Sequence, residues 1–196
     1  MGAAEVIAAI RVVHVITAIL LVWPFYALVA VNQRARLGPP LGDRADTYLE
    51  NMVKNRTIPC FVFQATVLLT GLILVWDDGG LGRLVSQPAL GIKFLLLLTI
   101  GGLLTYVHLR LQPKIDALFA SGGGNTLTSE TAQAVVRLRL RRKRLAAVCL
   151  LAVLLAAMLG VQAAHPFPLW LTLVFVAALA VFVWRAYTSV TPYGWM

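Results

Sequence analysis

Five long runs of apolar residues, separated by polar segments, constrain this chain more than any other feature of its sequence. The runs cover about residues 6–31, 58–76, 90–111, 145–164 and 167–184. Each approaches the roughly 20 residues that an α-helix needs to cross about 30 Å of hydrocarbon. Because lipid offers no partner for a free backbone N–H or C=O, a run that enters a bilayer must form a helix. The sequence therefore predicts an all-α integral membrane bundle of five transmembrane helices, forming a single domain over residues 1–196.

Composition supports this fold class. Apolar residues make up 60% of the chain and charged residues 13%, which leaves too little polar surface for a water-soluble globule. The net charge of +9 could suggest nucleic acid as a partner. However, the basic residues lie beside the apolar runs, where they set topology and attract anionic lipid headgroups. We expect the lipid bilayer as the main partner and no nucleic acid, because no separate soluble basic domain is present to bind it.

The orientation follows from the Lys and Arg residues between the runs. Most of them lie in segments 32–57 and 112–144 or, for Arg110, just before the second segment. They are Arg34, Arg36, Arg44, Lys54, Arg56, Arg110, Lys114, Arg137, Arg139, Arg141, Arg142, Lys143 and Arg144. The second connection holds Arg83 beside two aspartates, and the fourth holds no Lys or Arg. Since cytoplasmic loops carry the excess of Lys and Arg, segments 32–57 and 112–144 are predicted to be cytoplasmic loops. The amino terminus is then outside the cytoplasm and the carboxyl terminus inside.

The second of these cytoplasmic segments carries helix signals of its own. A helical pattern continues past Leu111 to Phe119 and stops at the glycine-rich residues 121–125. Thr128 or Ser129 can cap a new helix, with Glu130 in its first turn. From there no Gly or Pro interrupts the chain before the fourth run. We therefore predict that the fourth helix projects several turns from the membrane as a basic helix at the headgroups.

Polar side chains within the apolar runs are the candidate functional residues, because charged or titratable groups are costly at membrane depth. These candidates are Arg11, His14, Gln64, Lys93 and His108, and His165 lies in the last connection. Arg11 and Lys93 lie close enough to the end of their runs to extend to the headgroups instead. His165, in a turn, is expected to be solvated.

His14 and His108 are candidate haem or metal ligands, since imidazole is a usual ligand of haem iron. Arg11 and Lys93 are candidate partners for haem or porphyrin carboxylates. In the predicted orientation the two histidines differ in level by roughly 10 Å or more at about 1.5 Å per residue. Separate roles, or an outer site made by His14 with Lys93 or His165, fit these levels better than one haem between both histidines.

The cysteines and methionines give two further alternatives. Cys60 and Cys149 lie at a level similar to His108, so a thiolate–imidazole metal site is conceivable. Isolated cysteines in helices are, however, usually small buried apolar residues. The four methionines do not cluster, so a copper-handling protein would have to bind its metal at His14 or His165.

Several short motifs resemble the small polytopic membrane proteins of the bacterial HemJ-type protoporphyrinogen oxidase family. They are Arg11-Val12-Val13-His14-Val15-Ile16, Asn51-Met52-Val53-Lys54-Asn55-Arg56, Thr70-Gly71, Gly91-Ile92-Lys93-Phe94-Leu95 and Tyr106-Val107-His108. The related copper-resistance D-type membrane proteins share the plan, and the resemblance covers about residues 10–165. It implies a protein of the bacterial cytoplasmic (inner) membrane that handles haem b or porphyrin, with Arg11, His14, Lys93 and His108 at the site.

The chain also departs from that family. The family looks to have an Asn-Glu-Pro feature before its fourth span, where this chain has Arg144-Leu145-Ala146-Ala147, and it usually has four spans. Our leading hypothesis is a haem- or porphyrin-associated membrane protein acting in electron transfer or porphyrin oxidation. The alternatives are a non-catalytic subunit of a larger membrane complex, with membrane-protein partners or further copies of itself, and a copper-handling protein. Whether the protein is an enzyme is left open by its residues.

Overall fold

A computed structural model describes residues 2–32, 35, 43–54, 57–121 and 128–189. Within these ranges the chain forms helices and no strand. In chain order the helices are α1 (Ala3–Val31), α2 (Arg44–Lys54), α3 (Thr57–Asp77), α4 (Arg83–Ser86), α5 (Pro88–Tyr106), a π-helical turn (Val107–Leu111), α6 (Gln112–Ser121), α7 (Ser129–Ala164) and α8 (Leu169–Thr188). The charged residues Arg34, Arg36 and Arg56 of the first predicted cytoplasmic segment lie outside the described residues, as does the glycine-rich segment 122–125.

Five helical segments among the described residues are long and apolar enough to cross a membrane. They are α1, α3, α5 continued through the π-helical turn into α6, α7 and α8. Large apolar side chains on their outer faces stay exposed, and Trp23, Leu69 and Leu173 are each 60% exposed. Such a surface suits lipid and is unfavourable in water. The predicted all-α bundle of five membrane-spanning helices is confirmed.

The longest helix, α7, lies at the centre of the bundle and packs against α1, α5 and α8, while α1 also packs against α3. Small residues on α7, including Ala146, Ala152 and Ala156, are buried at these interfaces. Small side chains let helix backbones approach closely, which is how helices gain packing energy in lipid. Large apolar residues from α1 and α5, such as Phe25 and Ile100, fill the remaining core.

The start of α7 matches the sequence prediction. The Thr128 hydroxyl accepts a hydrogen bond from the backbone N–H of Thr131 at 3.3 Å, and Glu130 occupies the first turn. The helix has 36 residues and is therefore about 54 Å long, which exceeds the hydrocarbon thickness by several turns. The predicted continuous helix from this cap through the basic segment into the fourth apolar run is confirmed.

The two ends of the bundle differ in their polar residues. We call the end that carries α2, α6 and the first half of α7 the basic end, and the opposite end, with α4 and the turn between α7 and α8, the α4 end. Helix α2 was not predicted, because segment 32–57 was interpreted as a loop. It is amphipathic: the Asp46 side chain is 1% exposed, whereas Tyr48 is 65% exposed.

Candidate functional site

Three polar side chains from three different helices meet inside the bundle towards the α4 end. His14 of α1 lies between Thr70 of α3 and Lys93 of α5. Its Nδ1 is 2.8 Å from Thr70 Oγ1, and its Nε2 is 3.2 Å from Lys93 Nζ. The His14 side chain is 8% exposed. The structure thus brings together two of the predicted site residues, His14 and Lys93, and adds Thr70.

The hydrogen bonds of Thr70 indicate which nitrogen of the His14 imidazole carries the proton. The Thr70 hydroxyl donates to the backbone carbonyl of Thr66 at 2.6 Å, as Ser and Thr hydroxyls in helices commonly do. Its oxygen is then the acceptor for an N–H at His14 Nδ1. A neutral imidazole with its proton on Nδ1 has a free lone pair on Nε2. Lys93 Nζ is therefore the donor and His14 Nε2 the acceptor across the 3.2 Å contact.

Two glycines leave the space that these side chains occupy. A Cβ added at Gly71 would lie 3.1 Å from His14 Cε1, and a Cβ added at Gly160 would lie 3.0 Å from Lys93 Nζ. Both distances are shorter than ordinary van der Waals contact. The site therefore depends on the absence of a side chain on α3 and on α7, next to His14 and Lys93 respectively.

A cavity of about 40 Å³ adjoins the pair. It is lined by His14, Lys93 and mostly apolar residues of α3, α4 and α5, among them Leu72, Leu84 and Phe94. A polar cavity needs roughly 10–15 Å³ per water molecule by this measure. The space can hold a small polar group or a few waters, but it is too small for the ring of a tetrapyrrole.

Lys93 has no carboxylate partner among the described residues. The hydrogen bond of its amine is made with His14. All eight Asp and Glu residues of the chain lie in the described ranges, so the remaining segments hold no side-chain carboxylate. A cation in a low-dielectric environment attracts any anion that can reach it far more strongly than in water. Chemically, the arrangement can bind an anionic group in the cavity and can pass a proton between amine and imidazole.

The other predicted site residues lie elsewhere. His108 is exposed in the π-helical turn, where its ring meets the edge of Phe61 with 5.7 Å between centroids. Phe61 and Thr70 are nine residues apart on α3, about 14 Å along the helix, so His14 and His108 occupy different levels. Arg11 is exposed on α1.

Four other residues that the sequence offered as candidates also lie away from the His14–Lys93 pair. His165 is exposed at the end of α7. Gln64 is buried on α3, and its Nε2 donates to the carbonyl of Leu97 at 2.6 Å, while its Oε1 has no partner in the described structure. Cys60 and Cys149 are buried, and no disulfide joins them. Across the described ranges, no three His, Cys, Asp or Glu side chains come together in a group that could hold a metal ion.

A second polar group, which we call the ionic cluster, lies buried at the basic end. Its centre is Arg142 of α7, whose side chain is 1% exposed. Nη1 and Nη2 of Arg142 bind the two carboxylate oxygens of Glu50 at 2.6 and 2.9 Å. Nε and Nη2 also donate to Asn32 Oδ1, at 3.0 and 2.9 Å, and Nη1 donates to Gln112 Oε1 at 2.7 Å. The guanidinium thereby joins α1, α2, α7 and the start of α6.

Two further basic residues of α7 are buried beside Arg142. Arg139 pairs with Asp46 at 2.6 Å and with Glu50 at 3.0 Å, and Lys143 Nζ lies 4.9 Å from the centre of the Tyr187 ring. Burial by itself would raise the pKa of the Glu50 carboxyl, but the hydrogen bonds and charges of its arginine partners outweigh burial and lower that pKa to about 2. The basic segment of α7 was predicted to lie at the lipid headgroups, but three of its six basic side chains are buried inside the bundle.

Sequence reasoning missed the ionic cluster, although a signal was present. Asp46 and Glu50 are four residues apart and Arg139 and Arg142 three apart, so each pair shares one face of its helix. A short helix presenting two acids opposite a helix presenting two bases can be recognised only once α2 is identified as a helix.

No family model, no curated protein and no solved structure matches the chain. Its function is therefore inferred from the geometry of the two polar groups. The His14–Lys93 pair adjoins a cavity, whereas the side chains of the ionic cluster are largely satisfied by one another. The His14–Lys93 pair is therefore the candidate functional site.

Proposed function

We propose that this multi-pass membrane protein binds a carboxylate-bearing tetrapyrrole, a porphyrin or haem b, through Lys93. The observation that carries the proposal is the Lys93 amine, which adjoins a cavity and has no carboxylate partner among the described residues. A ligand carboxylate would supply the missing counter-charge in a medium where ion pairs are strong.

The size of the cavity determines how such a ligand would bind. About 40 Å³ accommodates a carboxylate, while the apolar ring would stay outside against lipid and the apolar residues around the cavity, such as Leu72 and Phe94. Haem iron, when bound, supplies one-electron redox chemistry. Because His14 Nε2 already accepts a hydrogen bond from Lys93, we assign His14 to positioning Lys93 and exchanging its proton.

The resemblance to the HemJ-type family supports the ligand class and adds oxidation of a porphyrinogen to a porphyrin as the proposed activity. The electrons would pass to an electron acceptor outside the chain, and His14 and Lys93 would accept the released protons as a proton-transfer pair. The basic end is proposed to face the bacterial cytoplasm, because the described Lys and Arg residues concentrate there and that side of a membrane protein carries the excess of basic residues.

A binding titration tests the proposal. Protein purified in detergent would be titrated with protoporphyrin IX and with haem, and binding followed by the Soret absorption band. We expect Lys93→Met to weaken binding at least tenfold, since it removes one partner of a buried charge pair. Lys114→Met, which removes an exposed lysine at the other end of the bundle, is the matched control and should bind as the unmodified protein does.

Lack of binding by the unmodified protein, or equal binding by Lys93→Met, would reject the tetrapyrrole proposal. The same preparation separates the alternatives. Stoichiometric co-purifying proteins would favour a non-catalytic subunit of a larger membrane complex, and bound copper in a metal assay would favour copper handling.

A further inference from the structure

The basic segment of α7 has two faces with different surroundings. Arg139, Arg142 and Lys143 point into the bundle and are buried. Arg137, Arg141 and Arg144 are exposed. Their spacing of four and three residues places these three side chains on one side of the helix, away from the ionic cluster.

This exposed side of α7 is continuous with the neighbouring helix. The Arg141 guanidinium carbon lies 5.4 Å from the centre of the Tyr106 ring, at the end of α5. Arg110, one turn beyond Tyr106, and Lys114, one turn further, are exposed as well. We call the five side chains Arg110, Lys114, Arg137, Arg141 and Arg144 the exposed basic face.

The acids of the basic end do not neutralise this face. Asp46 and Glu50 pair with arginines of the ionic cluster, and Asp116 pairs with Lys54 at 3.3 Å. Every Asp and Glu of the chain lies in the described ranges, and none of them forms an ion pair with the exposed basic face. Within the described ranges, the five positive charges of this face therefore have no carboxylate partner and are open to anions from outside the chain.

The position of the face indicates where these anions come from. The third apolar run, residues 90–111, covers about 33 Å as a helix, so Arg110, next to its last residue, lies near one boundary of the hydrocarbon. Along the same side of α7, the exposed residue after Arg144 is Val148, which is 47% exposed. Leu109, beside Arg110, is 63% exposed. On this surface of α7 and the π-helical turn, exposed cations therefore lie next to exposed apolar side chains. This arrangement is typical of the boundary between lipid headgroups and hydrocarbon.

We infer that the exposed basic face binds the phosphate of an anionic phospholipid between Arg110 and Arg141, beside Tyr106, with the acyl chains along Leu109 and Val148. Arginine is suited to this role because its planar fork donates two hydrogen bonds to phosphate oxygens. A soluble phosphate would gain the same charge contacts but would leave the neighbouring apolar surface unused. This inference is independent of the proposed tetrapyrrole site, which lies towards the other end of the bundle.

The test measures lipid binding by native mass spectrometry. Detergent-purified protein would be titrated with phosphatidylglycerol and, separately, with phosphatidylcholine of the same acyl chains. Each arginine near an anionic headgroup is expected to contribute about fivefold in affinity, so R110Q/R141Q should weaken phosphatidylglycerol binding about 25-fold. R11Q/R83Q removes two charges towards the α4 end of the bundle and should leave that binding unchanged. R110K/R141K, which keeps the charge, should lose much less than R110Q/R141Q.

Equal affinity for the two lipids would overturn the inference, as would R110Q/R141Q binding like the unmodified protein or R11Q/R83Q losing as much. Displacement of phosphatidylglycerol by inorganic phosphate at equal concentration would show that soluble phosphate is the ligand and would also overturn it. If R110Q/R141Q loses helical circular dichroism, Arg110→Gln alone decides: about a fivefold loss supports the inference, and no loss contradicts it.

Discussion

Replacing Glu50 by Gln removes the carboxylate that Arg139 and Arg142 share, while keeping the size of the side chain. Arg142 would keep neutral acceptors on Asn32 and Gln112. The Glu50 side chain is 11% exposed and Arg142 is 1% exposed, so solvent screens their interaction little. Leaving a buried charge without its partner typically costs roughly 3–5 kcal/mol.

The pKa of Glu50, which the same two arginines lower, leads to a similar magnitude. A pKa lowered from 4.5 to about 2 corresponds to about 3 kcal/mol of folding stability. Because the folded-state pKa is the lower one, this stability is fully present above pH 4.5 and is lost as the pH falls towards 2. We therefore expect Glu50→Gln to lower the free energy of unfolding by about 3 kcal/mol at pH 7, the lower end of the range for broken buried pairs.

The assay is unfolding of the detergent-solubilised protein by added SDS, followed by helical circular dichroism from pH 7 down to pH 2. The difference between the unmodified protein and Glu50→Gln should shrink between pH 4.5 and 2, where Glu50 itself becomes protonated. Asp116→Asn is the matched control, because the Asp116–Lys54 pair is 38% and 56% exposed and should contribute less than about 1 kcal/mol. Equal destabilisation by the two variants, or a Glu50→Gln difference independent of pH, would refute the reasoning.

Two further predictions concern the candidate site and the orientation. Gly71→Val should press on the His14 ring and weaken protoporphyrin binding at least tenfold in the Soret titration, whereas Gly102→Ala, where a Cβ meets no atom within 4 Å, should not. With the basic end in the cytoplasm, a cysteine at the exposed position of Val85 should react with a membrane-impermeant maleimide in intact cells, and a cysteine at Arg137 should react only after lysis. The reverse labelling pattern would overturn the orientation.

The membrane-spanning helices could be predicted from the sequence because lipid offers the backbone no hydrogen-bond partners, so a long apolar run in lipid forms a helix. Each apolar run had to become a helix, and the Thr128 cap could be predicted from the same local rules. The meeting of His14 and Lys93 was anticipated as one option, from the levels of the two residues in their runs. Which of the possible partners lay closest depended on helix packing, which the residue positions alone do not determine.

The supporting residues of the site could not be predicted. Thr70 and Gly71 appeared in the sequence as part of a short motif, without a physical role, and Gly160 carries no chemical signal at all. Their roles follow from which helix faces meet, as in the approach of Gly160 to Lys93. The ionic cluster was missed because the arginines of α7 were all treated as exposed, and a charge count does not distinguish Arg141 from Arg142.

The most direct test of the proposed function compares two ligands that share one ring. Protoporphyrin IX carries two carboxylates, and its dimethyl ester carries none. If Lys93 binds a ligand carboxylate, the unmodified protein should bind the free acid at least tenfold more tightly than the ester, and Lys93→Met should bind both alike. Equal affinity of the unmodified protein for acid and ester would contradict the account.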